Sequence, residues 1–225
     1  IICTLGPSSV NKNFLKFANG RINLLRLNMS HLSVANLEKS IKFIKKYTRI
    51  PICIDTEGAQ IRSKIKSSKT LRFGQKILIK NNQKGISLYP EKILDQLKLN
   101  DILNVGFNNL KLKVIKKRKN EILCKVLSSG KFENNKGVHI ENKKIKLNYL
   151  TTKDLKAIKI AEKFKIKNYA LSFTNSPNDA IKFNNLLKGK NKIFKIETLR
   201  AIKNFKSILK KINNFLIDRG DLSKD

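Results

Sequence analysis

The sequence predicts an α/β fold: a (β/α)8 barrel of TIM type, incomplete with about six strands present, carrying an inserted small all-β domain. Three observations lead there. Short, near-continuous apolar runs alternate with helix-periodic stretches up to about residue 60 and again from Thr151, the pattern of parallel strands buried on both faces under helices. Between about Arg62 and Lys146 the apolar residues instead recur at every second position, between Gly, Asn and Lys turns, as in a small antiparallel domain. Polar clusters follow the apolar runs, at the strand ends where barrels of this kind carry their active groups.

In order, residues 1–5 read as a strand that ends at Gly6-Pro7-Ser8-Ser9, a turn opening a helix around residues 12–18. Residues 22–27 form a second strand ending in Asn28-Met29-Ser30-His31. Leu37, Ile41 and Ile44 give residues 34–47 helical periodicity, and residues 50–54 form a third strand ending at Asp55-Thr56-Glu57-Gly58. The domain plan is therefore barrel over 1–61, insert over 62–146 and barrel again over 147–225. In the insert, strands are expected at 70–73, 76–79, 110–114, 122–126 and 138–140, with a short helix at 90–97. The Lys-rich stretch 115–120 reads as a solvated hairpin, and His139 as an ordinary, partly exposed residue.

After the insert, Thr151-Thr152-Lys153-Asp154 is a helix N-cap. Helix 152–164, strand 169–172, helix 178–187, strand 193–196, helix 200–212 and strand 215–217 follow. A closed barrel of this kind needs eight strands. Six are visible, so the chain reads as part of a longer barrel or as one that ends early. Its first residue is not Met, so its natural start is expected to lie elsewhere.

The net charge of +33 is extreme and draws anionic metabolites and, non-specifically, polyanions. A dedicated nucleic-acid module is not expected. Of 49 basic residues only eight are Arg, they are spread along the chain, Trp is absent and no run interleaves Arg with aromatics. Lys, Asn and Ile share A/T-rich codons, which accounts for much of the excess. No apolar run approaches the ~20 residues of a membrane span, and no signal peptide is visible. Cys3, Cys53 and Cys124 sit among strand-like apolar residues without metal-ligand spacing, as buried, reduced thiols of a cytoplasmic protein would. Met29, Cys3 and Thr4 are expected to serve packing.

Near the C-terminus, Lys195-Ile196-Glu197 and Arg219-Gly220-Asp221 each follow an apolar strand. Two carboxylates and a lysine at strand ends can hold a divalent cation beside a fixed positive charge, and Mg²⁺ takes only one or two protein carboxylates. A surface salt bridge with a Gly turn fits the same residues. The repetition favours a site: Arg26, Asn28, Ser30 and His31, then Asp55 and Thr56, then Ser172, Lys195 with Glu197, and Asp221 all sit at strand ends.

These residues resemble the pyruvate kinases. Ile2-Cys3-Thr4-Leu5-Gly6-Pro7-Ser8-Ser9 resembles that family's opening strand and turn, Arg26-Leu27-Asn28-Met29-Ser30-His31 its second-strand motif, and Asp55-Thr56-Glu57-Gly58-Ala59-Gln60-Ile61-Arg62 its third. Lys136-Gly137-Val138, Ala170-Leu171-Ser172-Phe173, Lys195-Ile196-Glu197 and Arg219-Gly220-Asp221-Leu222 continue the series in order. The resemblance implies transfer of phosphate from phosphoenolpyruvate to ADP, giving pyruvate and ATP, in glycolysis. It implies Mg²⁺ (or Mn²⁺) on Glu197 and Asp221, and K⁺ on Asn28, Ser30, Asp55 and Thr56. Lys195 would be catalytic, Arg26 would hold the substrate phosphate, and the Gly220 and Asp221 backbone would touch the substrate carboxylate. Asn28, His31, Arg62 and Lys136 would serve the nucleotide. The insert would be a lid, and the full-length protein a cytoplasmic homo-oligomer, a tetramer.

Departures from the family pattern bear on these expectations. The third motif usually carries Lys, Pro and Glu where Glu57, Ala59 and Gln60 stand. Glu57 reverses a charge beside an anion site if it points inward, and the loss of Pro loosens the path into the lid. An expected Arg is Asn175, and Ser223 replaces a Gly, predicting strain if φ is positive there. They motivate a second reading, a non-catalytic relative that binds nucleotide or a phosphorylated metabolite.

Overall fold

In the computed structural model, which describes residues 1–81, 85–90, 92–106, 110–143 and 145–223, the chain opens with strand β1 (Ile2–Thr4) and helix α1 (Lys12–Ala18). The Asn11 side chain accepts from the Phe14 N–H and so starts that helix. Strand β2 (Leu24–Asn28), helix α2 (Val34–Tyr47) and strand β3 (Ile52–Asp55) follow. Ser33 caps α2 through the Asn36 N–H, and Leu37, Ile41 and Ile44 form its buried stripe. All four residues of β3 are buried, as a strand covered on both faces requires.

The chain then builds a separate unit over Gln60–Leu147. It comprises β4 (Ile61–Lys64), β5 (Lys69–Leu71), β6 (Lys76–Lys80), β7 (Ser87–Tyr89), α3 (Ile93–Gln96), β8 (Ile102–Val105), β9 (Leu110–Arg118), β10 (Glu121–Ser128), β11 (Gly130–Phe132) and β12 (Gly137–Ile140). Seven strands pair antiparallel in the order β6-β10-β9-β8-β12-β4-β7, and β11 pairs with β5. Alternation decides the inward face: Leu110, Leu112 and Val114 of β9 and Ile122, Cys124 and Val126 of β10 are buried. The basic stretch at 115–120 extends β9 through Arg118 into a hairpin turn, but Lys117 is tied down, donating to the Asp95 and Leu97 carbonyls at 2.9 and 2.6 Å. Expected helix 90–97 is only the four residues of α3. The expected strands leave out β4, β7, β8 and β11.

The first unit, Ile1–Ala59 with Asn148–Asp225, resumes with α4 (Thr152–Lys163), β13 (Asn168–Leu171), α5 (Pro177–Leu186), β14 (Asn191–Ile196), α6 (Leu199–Lys203), α7 (Phe205–Leu209), β15 (Phe215–Ile217) and α8 (Arg219–Leu222). Its sheet is wholly parallel, in the order β1-β2-β3-β13-β14-β15. After the insert the chain returns directly beside β3, pairing Asp55 with Ala170. Leu25, Leu27, Ile54, Tyr169, Leu171, Phe194 and Ile196 join Leu15, Leu37, Ile41, Ile44 and Phe183 of the helices in one core. Met29 is in that core, as expected. Phe183 and Phe194 meet edge to face at 5.9 Å.

Two expectations are corrected here. Helix 200–212 is broken at Asn204, whose backbone (φ −95°, ψ 5°) leaves the α region and whose Nδ2 donates to the Asn175 carbonyl at 2.8 Å. An Asn side chain that bonds elsewhere competes with helix continuation. Ser223 is right-handed, at φ −69° and ψ −4°, so no positive φ is demanded and no strain arises. Among the described residues, no helix is long and apolar enough to cross a membrane.

Candidate active site

Each strand of the parallel sheet delivers one polar side chain to the same row. Thr4 on β1 pairs in register with Arg26 on β2, and Arg26 Nε donates to Thr4 Oγ1 at 2.7 Å. Arg26 Nη1 lies 3.4 Å from Oδ2 of Asp55, the last residue of β3. Ser172, just past β13, donates to Asp55 Oδ1 at 3.1 Å and accepts from Lys195 Nζ at 3.3 Å. Lys195 on β14 reaches Asp55 Oδ2 at 3.7 Å and, past β15, Asp218 Oδ2 at 3.5 Å. Its tightest partner is Glu197 Oε1 at 2.7 Å. Six parallel strands thus join one row of hydrogen bonds and ion pairs. Thr4 is exposed and orients Arg26, which corrects the expectation that it serves packing.

The electrostatics follow from burial. Lys195 is only 4% exposed, and an isolated buried ammonium would neutralise. Burial pulls its pKa down, but Asp55 and Glu197 push it up, and the balance lies above the ordinary value, so the ammonium stays charged. Burial lifts Glu197 to about 7, against the pull of Lys195 and of the Phe173 N–H. Asp55 is also raised by burial, with Lys195 and Arg26 opposing. At the less buried Asp218 the same desolvation is outweighed by Lys195 and by the Asp221 and Gly220 N–H groups, and its pKa is lowered. Perturbed groups gathered at strand ends are what a reactive site looks like.

Loop backbone holds these carboxylates in place. Phe173 adopts φ +53°, costly for a non-glycine residue, and its N–H donates to Glu197 Oε2 at 2.6 Å. The Ser172 N–H donates to Thr56 Oγ1 at 3.0 Å. Gly58 has φ +69°, and a Cβ there would lie 2.5 Å from the Ser172 carbonyl oxygen, so this close approach admits only glycine. Beneath the loop, fully buried Asp154 accepts from the N–H groups of Glu57, Gly58 and Thr151 at 2.6, 3.1 and 2.9 Å. Thr151 and Asp154 also complete the expected cap, as a reciprocal capping box. Glu57 does not meet Lys195: its carboxylate pairs with Lys153 at 3.4 Å and accepts from Thr151 Oγ1 at 3.4 Å. Asn175 likewise has local partners, accepting from Thr198 Oγ1 and donating its N–H to Asp179 at 3.2 Å.

Carboxylate oxygens of Glu197, Asp218 and Asp221 lie within 4.8 Å of one another, so the two acidic residues expected to share a cation do converge. An all-oxygen, anionic donor set suits a hard divalent cation such as Mg²⁺ or Mn²⁺. The residues expected for K⁺ also gather. Asn28 is the register partner of Asp55, its Oδ1 accepts from the Ser30 N–H at 2.8 Å, and Thr56 follows directly. Their hard oxygens suit an alkali cation. His31 is exposed on the turn after β2. Arg62 and Lys136 belong to the antiparallel unit. There Arg62 donates to the Asn135 carbonyl at 3.2 Å, and Lys136 Nζ lies 3.6 Å from Glu133. A cavity of about 370 Å³ opens beside the row, lined by Thr4, Arg26, Asp218, Arg219 and Gly220 together with Ile2, Leu216 and Ile217.

Sequence reasoning did not single out Asp218 or assign Asp154 a role beyond the cap. Asp218 directly follows Ile217, and asking which residue comes next after every apolar strand would have found it. Asp154 offered no comparable signal, because its loop partners lie almost a hundred residues away.

The chain matches the model of the pyruvate kinase barrel domain over residues 1–225. It is 30% identical over 241 residues to a pyruvate kinase of Staphylococcus epidermidis, an alignment covering 99% of this chain and 41% of that protein. It is 31% identical over 247 residues to that of Staphylococcus saprophyticus, with the same coverage of 99% and 41%. The chain therefore spans about two fifths of the length of these curated relatives. A crystal structure of Cryptosporidium parvum pyruvate kinase superposes with a TM-score of 0.90 at 24% identity, covering all of this chain and 52% of that one. That likeness attests to the α/β barrel fold.

Proposed function

Because the chain belongs to the pyruvate kinase family, we propose that the protein it forms transfers a phosphoryl group from phosphoenolpyruvate to ADP, giving pyruvate and ATP. The observation that carries this reading is the buried Lys195 ammonium, held at 2.7 Å by Glu197 beside the Glu197–Asp218–Asp221 carboxylates. In phosphoryl transfer a protein chiefly positions groups and neutralises charge. The bond between phosphorus and the enol oxygen breaks as an ADP β-phosphate oxygen attacks, and the enolate left behind takes a proton on carbon.

Arg26, steadied by Thr4 and Asp55, grips the substrate phosphate as a planar fork, while Lys195 supplies a compact point charge to the phosphoryl group and the enolate. The Gly220 and Asp221 backbone receives the substrate carboxylate. Glu197 and Asp221 would hold Mg²⁺ or Mn²⁺, which supplies charge neutralisation on phosphate oxygens. Asn28, Ser30, Asp55 and Thr56 would hold K⁺, which adds a further fixed positive charge. Asn28, His31, Arg62 and Lys136 are assigned to the nucleotide. The antiparallel unit is assigned the role of a lid that excludes water, which would otherwise intercept the phosphoryl group.

Substitutions that favoured a non-catalytic relative are locally accommodated. Glu57 pairs with Lys153, Asn175 binds its neighbours and Ser223 is unstrained. A coupled assay on the full-length product with Mg²⁺ and K⁺ should register pyruvate and ATP formation; a rate equal to background rejects the proposal. Lys195→Met should lower kcat by about 10²–10³-fold or more with the circular dichroism spectrum unchanged. Undiminished turnover in that variant would remove Lys195 from the chemistry.

A further inference from the structure

The cavity of about 370 Å³ has two unlike walls: Arg26 and Thr4 on one, Asp218, Arg219 and Gly220 on the other. Asp218 divides its carboxylate between two tasks. Oδ1 accepts the Gly220 N–H at 3.2 Å, and Oδ2 faces Lys195 Nζ at 3.5 Å. The contact is close enough that a Cβ on Gly220 would lie 3.3 Å from that same Oδ1. A substrate carrying both a phosphate and a carboxylate places the phosphate on Arg26 and Lys195. Its carboxylate then needs donors on the opposite wall, where a carboxylate of the chain already holds the Gly220 N–H. The Gly220 N–H cannot serve both anions, and the Asp218 carboxylate beside it repels the incoming one.

We propose that Asp218 is an internal stand-in for the substrate carboxylate, holding the Gly220 N–H and facing the Lys195 ammonium until phosphoenolpyruvate displaces it. This rests on the phosphoenolpyruvate reading above and adds to it a residue that sets substrate affinity. Apparent affinity falls in proportion to the fraction of molecules whose donors are engaged internally. The chain therefore binds its substrate more weakly than its donors allow.

The test is equilibrium binding of phosphoenolpyruvate to the full-length protein by calorimetry, with Mg²⁺ and K⁺ present and nucleotide absent. Asp218→Ala should bind about tenfold more tightly than the unsubstituted protein. Asp218→Asn should fall between them, because the amide oxygen still accepts the Gly220 N–H but carries no charge. KM should move in the same direction, with kcat changed less. Circular dichroism reads the fold of both variants, and the near-isosteric Asn keeps the measurement available if Ala does not fold. Unchanged or weaker binding in the folded variants overturns the proposal. So does loss of Mn²⁺ binding measured without substrate, which would make Asp218 a cation ligand.

If the unsubstituted protein neither turns over nor binds while Asp218→Ala binds, the stand-in survives and the catalytic proposal falls. Turnover with equal affinity in all three proteins gives the reverse. No binding in any of them overturns the stand-in.

Discussion

Asp154 never touches the Lys195 row, yet three backbone N–H groups from two segments converge on its carboxylate. Replacing it by Ala removes the N3 half of the capping box while the Thr151 cap bond remains, and leaves buried donors unsatisfied, about 1–3 kcal/mol. We expect Asp154→Ala to lose about 1–3 kcal/mol in urea denaturation; a loss within error of zero would mean water replaces the carboxylate. Gly58 is constrained in the opposite way, by lack of room. Gly58→Ala forces a Cβ to 2.5 Å from the Ser172 carbonyl at φ +69°. Its midpoint should drop more than that of Ala59→Gly next door, which removes a side chain where no such clash exists. Asp154 shows what a sequence hides: its cap role was legible three residues from Thr151, whereas its grip on the Glu57 loop depends on chain return after the insert.

At the scale of elements, the parallel strands were legible because burial on both faces leaves unbroken apolar runs, as in Ile52-Cys53-Ile54. Bounds moved by only a residue or two at most of them. Helix 200–212 misled because its apolar spacing continues across Asn204, while the break comes from a side-chain bond to Asn175 that no local pattern announces. Asn204→Ala should therefore lengthen the helical run, visible as slowed amide exchange at Phe205–Leu209, with about 1 kcal/mol lost from the Asn175 contact. Unaltered exchange there would mean the break is imposed by packing. Strands β4 and β7 escaped because their burial runs unbroken over consecutive residues and does not alternate.

At the scale of the whole molecule, burial makes three weakly acidic side chains, Cys53, Cys124 and Tyr169, hold their protons to higher pH than the unfolded chain does. Burial first, with Asp55 nearby, pushes Cys53 from 9.0 to about 12. Burial alone lifts Cys124 to the same level, about 12. Tyr169 rises from 10.0 to about 12, through burial first and then Glu162 and Cys53. In each case the folded pKa exceeds the unfolded one, so between about pH 9 and 12 the unfolded chain has shed protons that the folded chain keeps. The contribution of these three groups is then full below about pH 9 and declines as pH rises through this window. Urea midpoints at pH 8 and pH 10.5 should fall accordingly, and Cys53→Ser with Cys124→Ser should flatten the slope. An equal slope in that double variant would assign the decline to lysine deprotonation across a chain of +33 net charge.

The row from Thr4 to Asp218 takes one member from each of the six parallel strands or from the residue just past its end. Slipping any strand by a single residue turns its contributor to the opposite face. The proposed activity would then act as a proofreader of assembly: a molecule with one mispaired strand would lose the row while its spectrum still looked native.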